Sequence, residues 1–247
     1  MNPTYLTEET VGDINEQLTE ESEVLLPGFL NEDIYKSLCT AIVESDVSSK
    51  IFSSAGPPNL KSYEKALIGP PEKIDIAKES TDALSNIHKF FYSQEFFEFL
   101  EKLTEFPFTS DEKLIHVKSE LRKFSHGSYT LLQSGGEKQT GNVLVSNGKS
   151  AAKNDDQDDE LEPNLVDVIF FCSSNWDEER GGLTIYSAND GVQLITIPPE
   201  GNSLAITVRA ENVNSYVNYV NYLAGEEMYF AYTMTFEFTD HVLVTND

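Results

Sequence analysis

The sequence predicts an α+β fold in which an antiparallel barrel or jelly roll carries an N-terminal layer of about four helices. Three observations predict it. Four short β-rich runs, 166–172, 183–186, 192–197 and 204–208, follow one another at even spacing with no helical pattern between them. Such spacing argues for antiparallel strands closing on themselves rather than βαβ units. The breaks carry turn chemistry: Asn175-Trp176-Asp177 with Gly181-Gly182, then Asn189-Asp190-Gly191, then Pro198-Pro199-Glu200-Gly201-Asn202. Asp190-Gly191 between apolar runs signals a hairpin, because glycine accepts the positive φ of a tight turn. Upstream of residue 110, by contrast, apolar residues recur at helical spacing.

Each element follows from its residues. Thr7 can cap a helix over 7–18, with Val11, Ile14 and Leu18 on one face. Residues 23–26 read as a strand ended by Pro27-Gly28. Asn31 then caps a second helix, with Glu32 and Asp33 in the favourable first turn and Ile34, Leu38 and Ile42 as its apolar stripe. Residues 53–60 read as a loop. A third helix is expected over 74–92, with Ala77, Leu84, Ile87 and Phe91 near one face, and a fourth over 94–103, dense in Phe96, Phe97 and Phe99. These aromatics read as core between a helical layer and a sheet, not as a cofactor box.

In 114–124, Leu114, His116, Lys118 and Glu120 alternate with Ile115, Val117, Ser119 and Leu121, the pattern of a strand with one polar face. Residues 129–132 read as a further strand. Residues 134–164 have no periodicity and carry Asp155, Asp156, Asp158, Asp159, Glu160 and Glu162, so a disordered acidic insertion is expected there. In 213–223, Val213, Tyr216, Val217 and Val220 recur at three and four, which predicts a short helix. Residues 229–238 read as the final strand. The expected organisation is one domain over 1–247, with 1–110 as helical support and 111–247 as β core.

Composition narrows the function classes. The chain has 247 residues and a formal net charge of −25. That charge repels nucleic-acid backbones and anionic membrane surfaces and suits a basic protein partner. Cys39 and Cys172 are the two cysteines, both in apolar runs, which predicts buried free thiols and a reducing compartment. No apolar run reaches the length of a membrane span and the N-terminus has no signal-peptide core, so a cytoplasmic or nuclear location is expected.

Catalytic chemistry is hard to find. A non-haem iron site needs two His and one carboxylate on one face of the metal, usually as His-x-Asp or His-x-Glu followed by a distal His. None of the four histidines, His88, His116, His126 and His241, begins such a motif. They read as surface or hydrogen-bonded histidines. Cys172 reads as buried, and no Gly-x-Ser-x-Gly turn or phosphate loop is present.

The stretches NPTYLTEET, SEVLLPGFL, SSAGPPNLKSYEKA, ELRKFSHGSYTLL and NWDEERGGLTIY resemble the C-terminal half of one prolyl hydroxylase family. These are iron- and 2-oxoglutarate-dependent oxygenases that modify a proline of a small-subunit ribosomal protein. The resemblance spans nearly the whole chain apart from the acidic insertion. It implies a double-stranded β-helix (jelly-roll, cupin-like), the degenerate second copy in a tandem whose first copy is catalytic. By that comparison the first His and the acid of a catalytic copy, placed after the glycine matching Gly127, would fall near Gln133 and Gly135. Residues 209–220 contain no distal His, and 229–238 contain no Arg or Lys for a 2-oxoglutarate carboxylate.

The start at Met1-Asn2-Pro3 is expected to be that of an excised C-terminal piece. The resemblance implies no catalytic, cofactor or metal residue in this chain. Fe(II), 2-oxoglutarate and ascorbate would belong to the catalytic half of the parent. The implied partners are that half, regulatory proteins, and a ribosomal protein or, in fungal relatives, a transcription factor under oxygen-dependent control. Two alternatives stay open. In an oxygenase with atypical ligands, Asp177, Glu178 and His126 would be the candidates. In a jelly-roll module for a small molecule or glycan, Trp176 would be a stacking platform.

Overall fold

The computed structural model describes residues 1–49, 52–55, 62–67, 83–109, 114–132, 164–173 and 176–238. A 3-10 turn (Pro3–Leu6) leads into α1 (Glu8–Glu21), where the Thr7 hydroxyl accepts the Thr10 N–H at 3.3 Å. Then come β1 (Glu23–Pro27), α2 (Glu32–Ser49), β2 (Ser53–Ser54), β3 (Glu64–Leu67), α3 (Ala83–Phe91), α4 (Gln94–Thr104) and β4 (Leu114–Ser125). The chain continues through β5 (Leu165–Cys172), β6 (Thr184–Ser187), β7 (Gln193–Ile197), β8 (Ser203–Arg209), β9 (Asn214–Val217) and β10 (Met228–Phe238). Asn31 caps α2, its Oδ1 accepting the Asp33 N–H at 3.0 Å.

The strands form two antiparallel sheets, β1-β8-β5-β10-β4-β3-β2 and β7-β6-β9. Alternation along β10 divides its side chains between two cores. Phe230, Tyr232, Met234, Phe236 and Phe238 face the helices, where Phe29 lies within 6.4 Å (ring centroids) of Tyr5, Phe90, Phe96, Phe99 and Phe170. Tyr229 and Ala231 face the smaller sheet. Both faces of β5 are covered and every one of its residues is buried, which is why it reads as an apolar run.

The Asp190-Gly191 hairpin joins β6 to β7 as expected: Gly191 has φ +87° and the Asp190 carboxylate accepts the Val192 N–H at 2.9 Å. The hairpin and the strand runs agree with the predicted jelly roll, and among the described residues four helices form on its outer face.

Several local expectations are corrected. Ile34 is 53% exposed while Leu38 is 3% and Ile42 1% exposed. The buried face of α2 passes through Tyr35, whose hydroxyl donates to Ser173 O at 2.6 Å, and leaves Ile34 outside. Residues 213–223 are not a helix. Asn214–Val217 pairs with Ser187–Thr184 of β6, and only Tyr222–Ala224 makes a 3-10 turn. Non-local pairing overrides the three-four spacing there.

Residues 129–132 form no strand; Thr130 N–H donates to Val217 O and the Thr130 hydroxyl accepts the Val217 N–H at 2.7 Å. Ser53 and Ser54, expected in a loop, pair with Lys65 and Glu64. A register shift pairs Phe238 with Leu114 and Glu237 with His116. The skipped residue reverses the alternation, so Leu114 packs on the helix-side core with Leu121. Residues 74–82 of the third helix, the side chains of Leu84, Ile87 and 115–118, and positions 134–163 of the expected insertion lie outside the described residues.

Candidate functional site

The space between the two sheets is where a jelly roll can enclose a ligand. Here aromatic rings occupy much of it. Tyr63 stacks on Phe124 (5.6 Å between centroids) and Phe124 on Tyr229 (4.9 Å), while Trp176 meets Tyr229 edge-on at 4.8 Å. Phe171, Tyr186, Ile169, Ile197, Val217 and Val220 complete this buried cluster.

Two carboxylates point into the same space and both already have cations. Asp167, 5% exposed, accepts from Arg209 Nε at 2.7 Å, from the Tyr186 hydroxyl at 3.1 Å and from the Thr235 hydroxyl at 2.6 Å. Arg209, 6% exposed, also donates to Val213 O at 2.8 Å. Burial opposes the Arg209 charge, but the adjacent Asp167 carboxylate outweighs it and the guanidinium pKa is raised. Burial, and next the Asp167 charge, push the Tyr186 phenol well up, which keeps it a neutral donor. Nearer β3, Glu120 accepts from Lys65 Nζ at 2.8 Å and Arg122 Nε at 3.0 Å. Arg209 and Asp167 are both buried, so losing either partner would strand a charge.

The residues considered from sequence are scattered. His88 lies on the opposite face of the larger sheet, its Nδ1 2.6 Å from the Tyr232 hydroxyl. His126 is exposed in the turn after β4. Asp177 and Glu178 are exposed, and the Asp177 carboxylate caps the short 3-10 turn Glu178–Arg180 by accepting the Glu179 N–H at 2.9 Å. Gln133, Gly135, His241 and the side chain of His116 lie outside the described residues. Among the described residues, no three His, Cys, Asp or Glu side chains gather as a metal site.

Trp176 holds a turn. Its Nε1 donates to Gly181 O at 2.8 Å, its ring abuts Tyr229, and the Arg180 guanidinium lies 5.6 Å from its centroid. Gly181 is required there: at φ +75°, a Cβ would stand 2.1 Å from Tyr219 O. Sequence reasoning missed Asp167, Arg209 and Glu120. The available signal was a charge within a buried strand, as in LVDVIFFC and SLAITVR, where a charged residue needs a partner.

Comparison with known proteins finds the same architecture elsewhere. A family model described as "Oxoglutarate and iron-dependent oxygenase degradation C-term" matches residues 1–241. Prolyl 3-hydroxylase OGFOD1 of Xenopus laevis is 25% identical over 252 residues, covering 90% of this chain and 42% of that protein. Its Mus musculus counterpart is 26% identical, covering 92% and 47%. The chain therefore spans less than half the length of these curated relatives.

Among solved structures, a Pseudomonas putida prolyl-4-hydroxylase aligns with a TM-score of 0.58 at 13% identity, covering 92% of this chain and 98% of that one. A Trichoplax adhaerens prolyl hydroxylase, solved with a hypoxia inducible factor oxygen degradation domain peptide fragment, aligns at 0.59 and 12% identity, covering 93% and 90%. At these identities the structural likeness establishes the fold alone.

Proposed function

Since the chain belongs to the family of oxoglutarate and iron-dependent oxygenase degradation C-terminal domains, we propose that it is the non-catalytic, protein-interacting half of a prolyl hydroxylase. The observation that carries this reading is the filling of the space between the sheets. Iron in this fold needs two His and a carboxylate with open positions beside them. The described interior instead presents stacked Tyr63, Phe124 and Tyr229, and carboxylates already held by Arg209, Lys65 and Arg122. That donor set does not fit iron with 2-oxoglutarate, so no catalytic step is assigned to this chain. Fe(II), 2-oxoglutarate and ascorbate belong, in this reading, to the other half of the parent.

The described interior is taken up by packing and ion pairs, so in this reading partners meet the outer surface. A net charge of −25 favours basic protein partners over nucleic acid. The catalytic half of the parent is one partner. A ribosomal protein or a transcription factor under oxygen-dependent control is the other, in the cytoplasm and nucleus.

The test is an affinity capture comparing the full-length parent, this chain alone, and the parent without it. A partner other than the catalytic half should follow this chain and disappear when it is removed. Retention of every such partner by the remainder alone would refute the proposal.

A further inference from the structure

We propose that the corner carrying Tyr219, Tyr222 and Leu223 is a docking surface for an extended, arginine-rich segment of a partner protein. The proposal rests on the protein-interacting reading above and gives it a surface and a ligand chemistry.

The sequence explains why aromatic rings face solvent here. Residues 217–222 repeat one triplet, Val-Asn-Tyr, and each member has its own place. Val217 and Val220 are buried in the cluster between the sheets. The asparagines bind backbone. Asn218 Oδ1 accepts the Leu183 N–H at 2.8 Å, Asn221 Nδ2 donates to Glu179 O at 2.6 Å, and Asn221 Oδ1 accepts the Leu223 N–H at 2.8 Å. The tyrosines are left to solvent, Tyr219 at 54% and Tyr222 at 75% exposure, and Leu223 is exposed with them.

The backbone under these rings is held from several sides. Gly127 N–H donates to Val220 O at 2.8 Å, Asn221 N–H to Arg180 O at 2.8 Å, and Glu227 N–H to Ala224 O at 2.9 Å. A Cβ on Gly181 would stand 2.1 Å from Tyr219 O, so the 3-10 turn Glu178–Arg180 and the tyrosine segment lie against each other. Exposed tyrosines on a fixed backbone suit binding, because each offers a large contact area and has only two χ angles to order.

Charge selects the occupant. Asp177, Glu178, Glu179, Glu226 and Glu227 are exposed on the two segments that form the corner. Arg180 is the one cation among residues 176–182 and 218–228, and it already pairs with Glu227. The corner therefore attracts a cationic segment and repels a second copy of a chain with net charge −25. Arg180 shows how a guanidinium is held here, 5.6 Å from the Trp176 ring centroid and paired with a carboxylate. An incoming arginine has the same two kinds of partner, a tyrosine face and an exposed carboxylate. Lysine lacks the planar group that stacks on such a face.

Fluorescence anisotropy of a labelled Arg-Ser repeat peptide tests this on the chain and on the full-length parent, with a Lys-Ser repeat for comparison. The Arg-Ser peptide should bind both proteins, and more tightly than the Lys-Ser peptide. Tyr219→Ala with Tyr222→Ala keeps every charge and should weaken binding about 5–30-fold, the loss of two exposed cation–π contacts. Should that variant fail to fold, Tyr219→Leu with Tyr222→Leu keeps the bulk without the aromatic faces and should lose binding likewise. No binding of the Arg-Ser peptide would overturn the proposal, and undiminished binding by the tyrosine variant would reduce the attraction to net charge and overturn it too. So would binding by the chain but not by the parent, whose other half would then cover the corner, or dimerisation of the chain that the variant abolishes. A partner captured by the chain and retained by the tyrosine variant would overturn this surface while leaving the protein-interacting reading intact.

Discussion

Replacing Asp167 by alanine strips the interior of the acceptor that three side chains share. Arg209 Nε, the Tyr186 hydroxyl and the Thr235 hydroxyl lose their partner at once. Arg209 is 6% exposed and keeps only its bond to Val213 O among these. Breaking a buried ion pair from one side costs about 3–5 kcal/mol. For a chain of this size each kcal/mol moves the midpoint by about 2–4 °C, so Tm should fall by about 6–20 °C.

The assay is reversible unfolding followed by fluorescence of Trp176, the lone tryptophan, which rests on Tyr229 in the same interior. The double variant Asp167→Leu with Arg209→Met removes both charges and should recover most of the loss, since apolar replacement of a buried pair is often neutral. A single variant within about 1 kcal/mol of the parent sequence would refute the reasoning, because a surface ion pair is worth no more than that. It would mean that water reaches this corner and that the interior is an open site.

Three further outcomes follow from other parts of the structure. Gly181→Ala should destabilise by at least about 1–3 kcal/mol for a conformation that is essentially glycine's alone, before the clash with Tyr219 O is added; urea midpoints measure it. Leu38→Ala should cost about 2–5 kcal/mol as a core truncation, whereas Ile34→Ala should stay within about 0.5 kcal/mol, a contrast that checks which face of α2 is buried. The Cys39 thiol is an acid whose folded pKa is depressed to about 7, so its alkylation rate should rise with pH through a midpoint near that value. In Cys172→Ala that midpoint should move up toward an ordinary thiol's, and an unchanged midpoint would exclude the Cys172 hydrogen bond as its cause.

What could be read in advance was local. The Thr7 and Asn31 caps, the Asp190-Gly191 hairpin and the strand runs around β5, β6, β7, β8 and β10 each depend on residues a few positions apart. The misreadings all involve partners far away in sequence. Residues 214–217 look helical by spacing and become a strand because β6 offers them a ladder. Ile34 sits in the right phase for a stripe, but the anchor of Tyr35 on Ser173, 138 positions on, sets how α2 is rotated. The site was harder still. Asp167 and Arg209 are 42 positions apart, and their pairing depends on β5 lying beside β8. A charge in an apolar run announces that a partner exists without naming it.

Thermal unfolding of this chain without oxygen, with and without manganese plus 2-oxoglutarate, tests the central claim most directly. Manganese stands in for Fe(II), and each component alone controls for loose cation binding to an acidic protein. A ligand at a hundredfold excess over its Kd would stabilise the folded state by about 2.7 kcal/mol, which at about 2–4 °C per kcal/mol raises the midpoint by about 5–11 °C. An interior filled by Tyr63, Phe124 and Tyr229 predicts no shift that requires both components. A rise that appears only when metal and 2-oxoglutarate are present together would contradict the account and make this chain an oxygenase in its own right.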